Sequence, residues 1–167
     1  TGVSNKDTVV MGRRSAASES VYMDTASFRK FDTSTLYAYT TGAAPDQTAL
    51  AKINAIESGT QAGVISLLDD AGTPANFIIA YHDGSTVYLD KCVGGTYTNL
   101  ISVSSTFVSD AAIEIRRPSG NTFQLFYNGS QVGTDQTISD AGIISNTIYG
   151  AFSTYSGNTF SRFTLDG

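Results

Sequence analysis

Tryptophan is absent, cysteine occurs once, proline three times, and charged side chains make up only 15 % of the 167 residues. Each shortage excludes something. The lone Cys92 permits no internal disulfide and no thiolate metal cluster; in a strand-like run it reads as a small buried hydrophobe rather than a reactive thiol. No run approaches the roughly 20 apolar residues of a membrane helix, so no membrane insertion is expected. Lys and Arg number 10 against 15 Asp and Glu, a net charge of −5. That sign opposes a phosphate-binding face, which needs clustered cations. Basic residues come no more than two together, as at Arg13-Arg14 and Arg116-Arg117, both read as solvent-facing, and nucleic acid is excluded as a partner. The chain opens with neither Met nor a signal pattern, and reads as an excised domain or mature fragment.

What is present is neutral and polar. Apolar residues account for 41 % of the chain, an ordinary share for a single domain spanning 1–167 with a real core. Ser, Thr, Asn, Gln and Gly must supply solubility, a surface suited to uncharged partners such as sugars. Short half-apolar runs alternate with turns. Phe77 to Tyr81 leads through Asp83-Gly84 into Val87, Tyr88 and Leu89; Phe123, Leu125 and Tyr127 lead through Asn128-Gly129 into Gln131-Val132. Such dipeptides tolerate the positive φ that tight hairpins need. Strands are predicted near 61–68, 75–82, 86–92, 97–103, 111–117, 122–128, 147–153 and 159–165, the spacing of an all-β sandwich. Residues 1–20 read as an extended opening segment with one short strand, and Thr35–Thr41 as another strand. Residues 48–57 fit both a helical stripe and an alternating strand; strand is preferred, with 63–68 as the second arm of a hairpin.

The ordered series Ala62–Ile65, Asn76–Tyr81, Val87–Lys91, Gly95–Leu100, Ile113–Arg116, Phe123–Val132, Ile143–Phe152 and Phe160–Leu165 resembles the concanavalin A-like jelly rolls, particularly their laminin-G-like branch. The resemblance covers about two thirds of the chain. It implies an antiparallel two-sheet β-sandwich with little or no helix, one sheet often concave. It also suggests that Thr8–Gly12 returns beside the last strand. The family's frequent Phe-Asp-Asn-Phe ending is Phe160-Ser161-Arg162-Phe163 here, which removes a carboxylate from any calcium site near the C terminus.

That fold hosts enzymes and binding modules alike. Retaining glycosidases need two carboxylates about 5–5.5 Å apart; the family's glucanases supply them as Glu-x-Asp-x-x-Glu on one strand. Here Glu19, Glu57 and Glu114 are widely separated, and Asp69-Asp70 would point to opposite faces. His82 is preceded by Ala80-Tyr81 rather than the Gln-x-His of the family's lyases, and reads as a hairpin-end histidine with partial exposure. Asp69, Asp70 and Asn76 flank the loop that would hold calcium, the only cofactor considered, though solvated turn carboxylates are the plainer reading. Asn128-Gly129-Ser130 matches a glycosylation acceptor but is explained by the turn.

Aromatic rings are the remaining candidates, since they stack on sugar C–H faces while amides and carboxylates bond hydroxyls. Alternation places Tyr88 and Asp90 opposite Val87 and Leu89, with His82 beside them, and Gln124 and Phe126 opposite Phe123, Leu125 and Tyr127. The expectation is that Tyr88, Asp90, Gln124 and Phe126 share one concave surface, with His82, Tyr97, Tyr149 and Tyr155 as further contributors. The preferred reading is therefore a non-catalytic carbohydrate-binding or adhesion module of an extracellular or virion-surface protein, its partner a glycan or cell-surface polysaccharide. An oligomer is expected if it is virion-associated. The alternative is a structural or assembly domain of a phage tail fibre or adhesin with no ligand of its own, which the absence of Trp favours. A glycan-active enzyme with an unrecognised site is the third.

Overall fold

Residues 36–166 are described continuously in the computed structural model, preceded by three two-residue strands: Met11–Gly12 (β1), Tyr22–Met23 (β2) and Arg29–Lys30 (β3). The remaining strands are Leu36–Thr41 (β4), Thr48–Ala55 (β5), Ala62–Leu68 (β6), Phe77–His82 (β7), Thr86–Val93 (β8), Thr96–Ser104 (β9), Ala111–Ser119 (β10), Thr122–Tyr127 (β11), Ser130–Thr137 (β12), Ile148–Ser153 (β13) and Thr159–Asp166 (β14). One four-residue helix, Ala141–Ile144 (α1), interrupts them. Pairing is antiparallel throughout. A five-stranded sheet runs β12-β11-β10-β5-β14, and a seven-stranded sheet runs β3-β4-β13-β6-β7-β8-β9. The two stack as a β-sandwich jelly roll.

Alternation explains the stacking. Ala49, Ala51 and Ile53 on β5, Ile113 and Ile115 on β10, Phe123 and Leu125 on β11, and Phe163 and Leu165 on β14 all turn inward. They meet Val64, Ile78, Ala80, Val87, Leu89 and Ala151 from the seven-stranded sheet. Non-polar area removed from water on this scale is the main force holding two sheets together. The ambiguous region 48–57 is a strand, β5, and the strand expected over 35–41 is β4.

Three expectations are corrected. Residues 48–57 and 63–68 do not form a hairpin, because β5 and β6 lie in different sheets and the chain between them is an arch. The chain crosses back between β13 and β14. Asn158, buried at that second arch, closes both: Oδ1 accepts from Glu57 N at 2.8 Å and Thr60 Oγ1 at 3.0 Å, while Nδ2 donates to Gln61 O and Ser153 Oγ. Next, Met11–Gly12 pairs with β2 rather than with the last strand; residues 8–10, like Arg13-Arg14, lie outside the described residues. Third, Arg117 is not simply solvent-facing. Its Nη1 donates to Pro45 O at 2.8 Å and Ile144 O at 2.7 Å, drawing the β4–β5 loop and the end of α1 together.

The Asn128-Gly129 turn has positive φ at both residues, 49° and 80°, as a tight hairpin requires. At Asp83-Gly84 only Gly84 is positive. There the carboxylate makes the turn instead: Asp83 Oδ1 accepts from Ser85 N and Thr86 N, both at 2.8 Å.

Candidate functional site

The seven-stranded sheet is apolar on both faces at its centre. Its inner face meets the other sheet, yet Ile65, Leu68, Phe77, Ile79, Cys92 and Phe152 form a second buried cluster on the side facing away. A bulge in β6, where Leu67 takes φ 56°, turns Leu67 inward and Leu68 outward, so all seven residues of that strand are buried. The loop from Asp69 to Asn76 anchors one end of this cluster. Asp69 Oδ1 accepts from Ala75 N and Asn76 N, Asp69 Oδ2 accepts from Asn76 Nδ2, and Asn76 Oδ1 accepts from Gly94 N. Asp70 Oδ1 accepts from Gly72 N and Thr73 N. These are the oxygens considered for calcium, and the structure uses them to shape the loop. Among the described residues no three His, Cys, Asp or Glu side chains converge as a metal site. Cys92 lies beneath that loop, its thiol donating to Ala75 O at 3.4 Å, with burial pushing its pKa up.

Toward β8 and β9 the same face changes character. Tyr81 and Tyr88 are cross-strand partners whose rings stack at 4.8 Å with planes 18° apart. Both are half-buried. Tyr81 OH donates to Asp90 Oδ2 at 2.9 Å, and Asn99 Nδ2 donates to Asp90 Oδ1 at 2.7 Å. A bulge in β9 produces this meeting. Leu89 pairs with Ile101 while Asp90 pairs with Asn99, leaving Leu100 as the extra residue, and Asn99 Nδ2 bridges the bulge to Ile101 O. Asp90 is only 7 % exposed. Burial raises its pKa against the opposing pull of the Asn99 and Tyr81 hydrogen bonds; burial and the nearby Asp90 charge likewise push Tyr81 upward. Tyr88 OH donates to Asp83 Oδ2 at 3.1 Å. Despite the burial that would raise it, the Ser85, Thr86 and Tyr88 donors hold Asp83 below the usual carboxylate range.

The result is one surface along β7–β9 holding two stacked rings, a carboxylate–amide pair and the exposed Ser102, which lies across from Tyr88. Tyr97 shares it at the far end, edge-on to Phe77 at 5.7 Å and 54 % exposed.

The expected common surface of Tyr88 and Asp90 with Gln124 and Phe126 does not exist, because β8 and β11 belong to different sheets and each group faces away from the other. On the five-stranded face the Phe126 ring is covered by the Arg116 guanidinium at 3.6 Å, and Gln124 and Gln131 both donate to Asp135 Oδ1. His82 is neither partly exposed nor beside Tyr88. It is fully buried on the inner face, against Phe107 and Tyr127. Tyr149 is also in the core, its hydroxyl donating to Ala44 O and its pKa pushed up to about 12 by burial. Tyr155 is exposed on the β13–β14 arch.

Sequence reasoning missed Tyr81 and Asn99. Both were within reach: Tyr81 and Tyr88 are equidistant from Gly84-Ser85, and Asp90 and Asn99 are equidistant from Gly94-Gly95, whose φ values are both positive.

No family model matches the sequence, and no curated protein is significantly similar to it. Solved structures do share the fold. The chain is similar to a carbohydrate-binding module, CBM66, from Bacillus subtilis, with TM-score 0.57 and 11 % identity over 87 % of this chain and 91 % of that one. Sheep galectin-11 superposes with TM-score 0.59 and 9 % identity, over 77 % and 96 %. The CBM2 module of the evolved Dit of Lactobacillus casei BL23 phage J-1 gives 0.51 and 8 %, over 79 % and 68 %. Matches also include glycoside hydrolases, of which the chain covers 33 % and 31 %. At these identities the likeness shows the fold alone, a two-sheet antiparallel β-sandwich.

Proposed function

We propose that this chain is a non-catalytic carbohydrate-recognition module whose binding surface is the outer face of β7–β9. The observation that carries the reading is the stacked Tyr81–Tyr88 pair set beside Asp90 and Asn99. Tyr81 occupies the β7 side of the Tyr88 ring. The side left for a ligand looks across β9, where Ser102 is its cross-strand neighbour. A pyranose would stack its C–H face there, while Asn99 Oδ1 accepts from its hydroxyls and Ser102 exchanges hydrogen bonds with them. Asp90 is too buried to be the main contact; it fixes Asn99 and Tyr81 in place. The carbohydrate-binding module and galectin likenesses support the same reading, as does the neutral polar surface. The phage module among them favours an extracellular or virion-surface setting. Within the fold, the laminin-G-like branch is our finer assignment. It rests on the order of strand motifs in the sequence.

Retention on immobilised dextran, xylan and galactomannan in affinity electrophoresis tests this. Tyr88→Ala should weaken binding to a retaining polymer by about fivefold, the equivalent of one lost ring contact. Ser102→Arg, at an exposed position, should block the surface while leaving Tm unchanged. No retention of the native chain on any polymer, or equal retention by both folded variants, would overturn the reading.

A further inference from the structure

We propose that His82 is an acid-sensitive latch on the β7–β8 turn and, through that turn, on Tyr88, so that acidification loosens the proposed binding surface. The regulatory half of this rests on the carbohydrate reading above; the latch itself does not. His82 is 0 % exposed, and its Nδ1 accepts a hydrogen bond from Gly84 N at 2.8 Å. An accepting Nδ1 places the proton of the neutral ring on Nε2. That nitrogen is buried without a hydrogen-bond partner. The accepting Nδ1 and the aromatic walls of this seat suit a neutral imidazole.

A second proton would arrive at Nδ1, where it meets the Gly84 N–H head on. The bond becomes two donors facing each other, and a cation sits among Phe107 at 5.5 Å and Tyr127 at 5.0 Å. Among groups packed around the ring, β6 and β8 offer Ala62 and Val87 as cross-strand neighbours. The segment after β9 offers Ser105 and Phe107. From β11 comes Tyr127, whose hydroxyl oxygen already accepts from Val108 N at 2.8 Å. Asp83 is the nearby carboxylate, but its oxygens are committed to Ser85, Thr86 and Tyr88. Burial holds the His82 pKa below 6.5, against the pull of the Asp83 charge and the Ser105 backbone.

The sign follows. A group whose folded value is depressed contributes stability above its unfolded value, and that contribution is lost as pH falls through the folded value. Asp90, with its raised value, acts in the opposite direction and cannot imitate the loss. The relief available to a protonated His82 is to leave its seat, which opens the 83–85 turn. Asp83 is the residue in that turn that holds the Tyr88 hydroxyl.

His82 is the only histidine, so its imidazole proton signals can be followed without ambiguity between about pH 7.5 and 5. The expected result is a midpoint below 6.5 at which the amide of Gly84 shifts and its exchange rate, taken relative to that of an unstructured amide at the same pH, rises at least about threefold. Retention on whichever of dextran, xylan or galactomannan binds should fall by a similar factor. In His82→Asn the side-chain Oδ1 can still accept from the amide two residues on, and nothing titrates; both effects should vanish. Relative exchange at Gly84 that ignores pH in the native chain, or rises equally in the variant, overturns the latch. Accelerated exchange with pH-independent retention overturns the coupling to binding. Accelerated exchange with no retention at any pH upholds the latch and rejects the carbohydrate reading.

Discussion

The two outer faces of this sandwich come from the same alternating grammar and end as different surfaces. On the five-stranded sheet a central set of outward groups is paired off: Arg116 over Phe126 and against Glu114, Gln124 and Gln131 on Asp135. On the seven-stranded sheet the outward side chains build a second apolar cluster, and at its β8–β9 end two rings and an acid–amide pair remain half-open. Under the proposed function, what covers the rings, rather than the presence of aromatics, separates the two faces. Phe126 is as aromatic as Tyr88, but its ring is already covered.

The sharpest test sets one face's phenylalanine against the other's. Phe77→Ala, in the second cluster, should cost roughly 3–5 kcal/mol by urea unfolding, as for a core residue. Phe126→Ala should cost about 1 kcal/mol. Comparable small losses for both would show that the cluster is ordinary surface. In the native chain Cys92, buried in the same cluster, should react with a bulky thiol reagent only across the unfolding transition. Rapid labelling of folded protein would carry the same message.

Asp90→Ala comes next. It strands the Tyr81 hydroxyl and one Asn99 proton, and about 1–3 kcal/mol of stability should go with them. Retention on a bound polysaccharide should fall too, because Asn99 loses its anchor. Loss of stability with retention intact would confine Asp90 to a structural role. The smallest effect belongs to the opposite face. Arg116 Nε donates to Glu114 Oε2 at 2.7 Å with the arginine side chain 39 % exposed. Arg116→Ala should therefore cost only about 1 kcal/mol after solvent screening, uncover Phe126, and leave retention unchanged. Retention that rises on uncovering Phe126 would move the binding surface to the other sheet.

Much of this was legible in the residues. Phe123, Leu125, Phe163 and Leu165 announce an inward face by period two, and all four are buried. The Asn128-Gly129 turn declares its own geometry. What stayed hidden has a common cause. Whether the chain after Ala55 folds back as a hairpin or arches into the other sheet depends on side chains far away, among them Asn158, a hundred residues downstream of Ser58. That choice put Tyr88 and Phe126 on opposite faces. His82 looked like a hairpin tip because its neighbours Asp83 and Gly84 are turn residues; its burial comes from Phe107 and Tyr127, which only packing brings over it.

By itself the sequence determined the strand periodicity, the turns and therefore the class of fold, because period-two burial and positive-φ dipeptides are local properties of the chain. Which outward residues would meet was decided only by tertiary structure. Two bulges, at Leu67 and Leu100, and two arches between sheets set which side chains share a face. The Leu67 bulge and the arches are held by residues distant in sequence, the Leu100 bulge by Asp90 and Asn99 across one hairpin. Alternation tells a residue which way to point; the register and the sheet it joins decide what it points at.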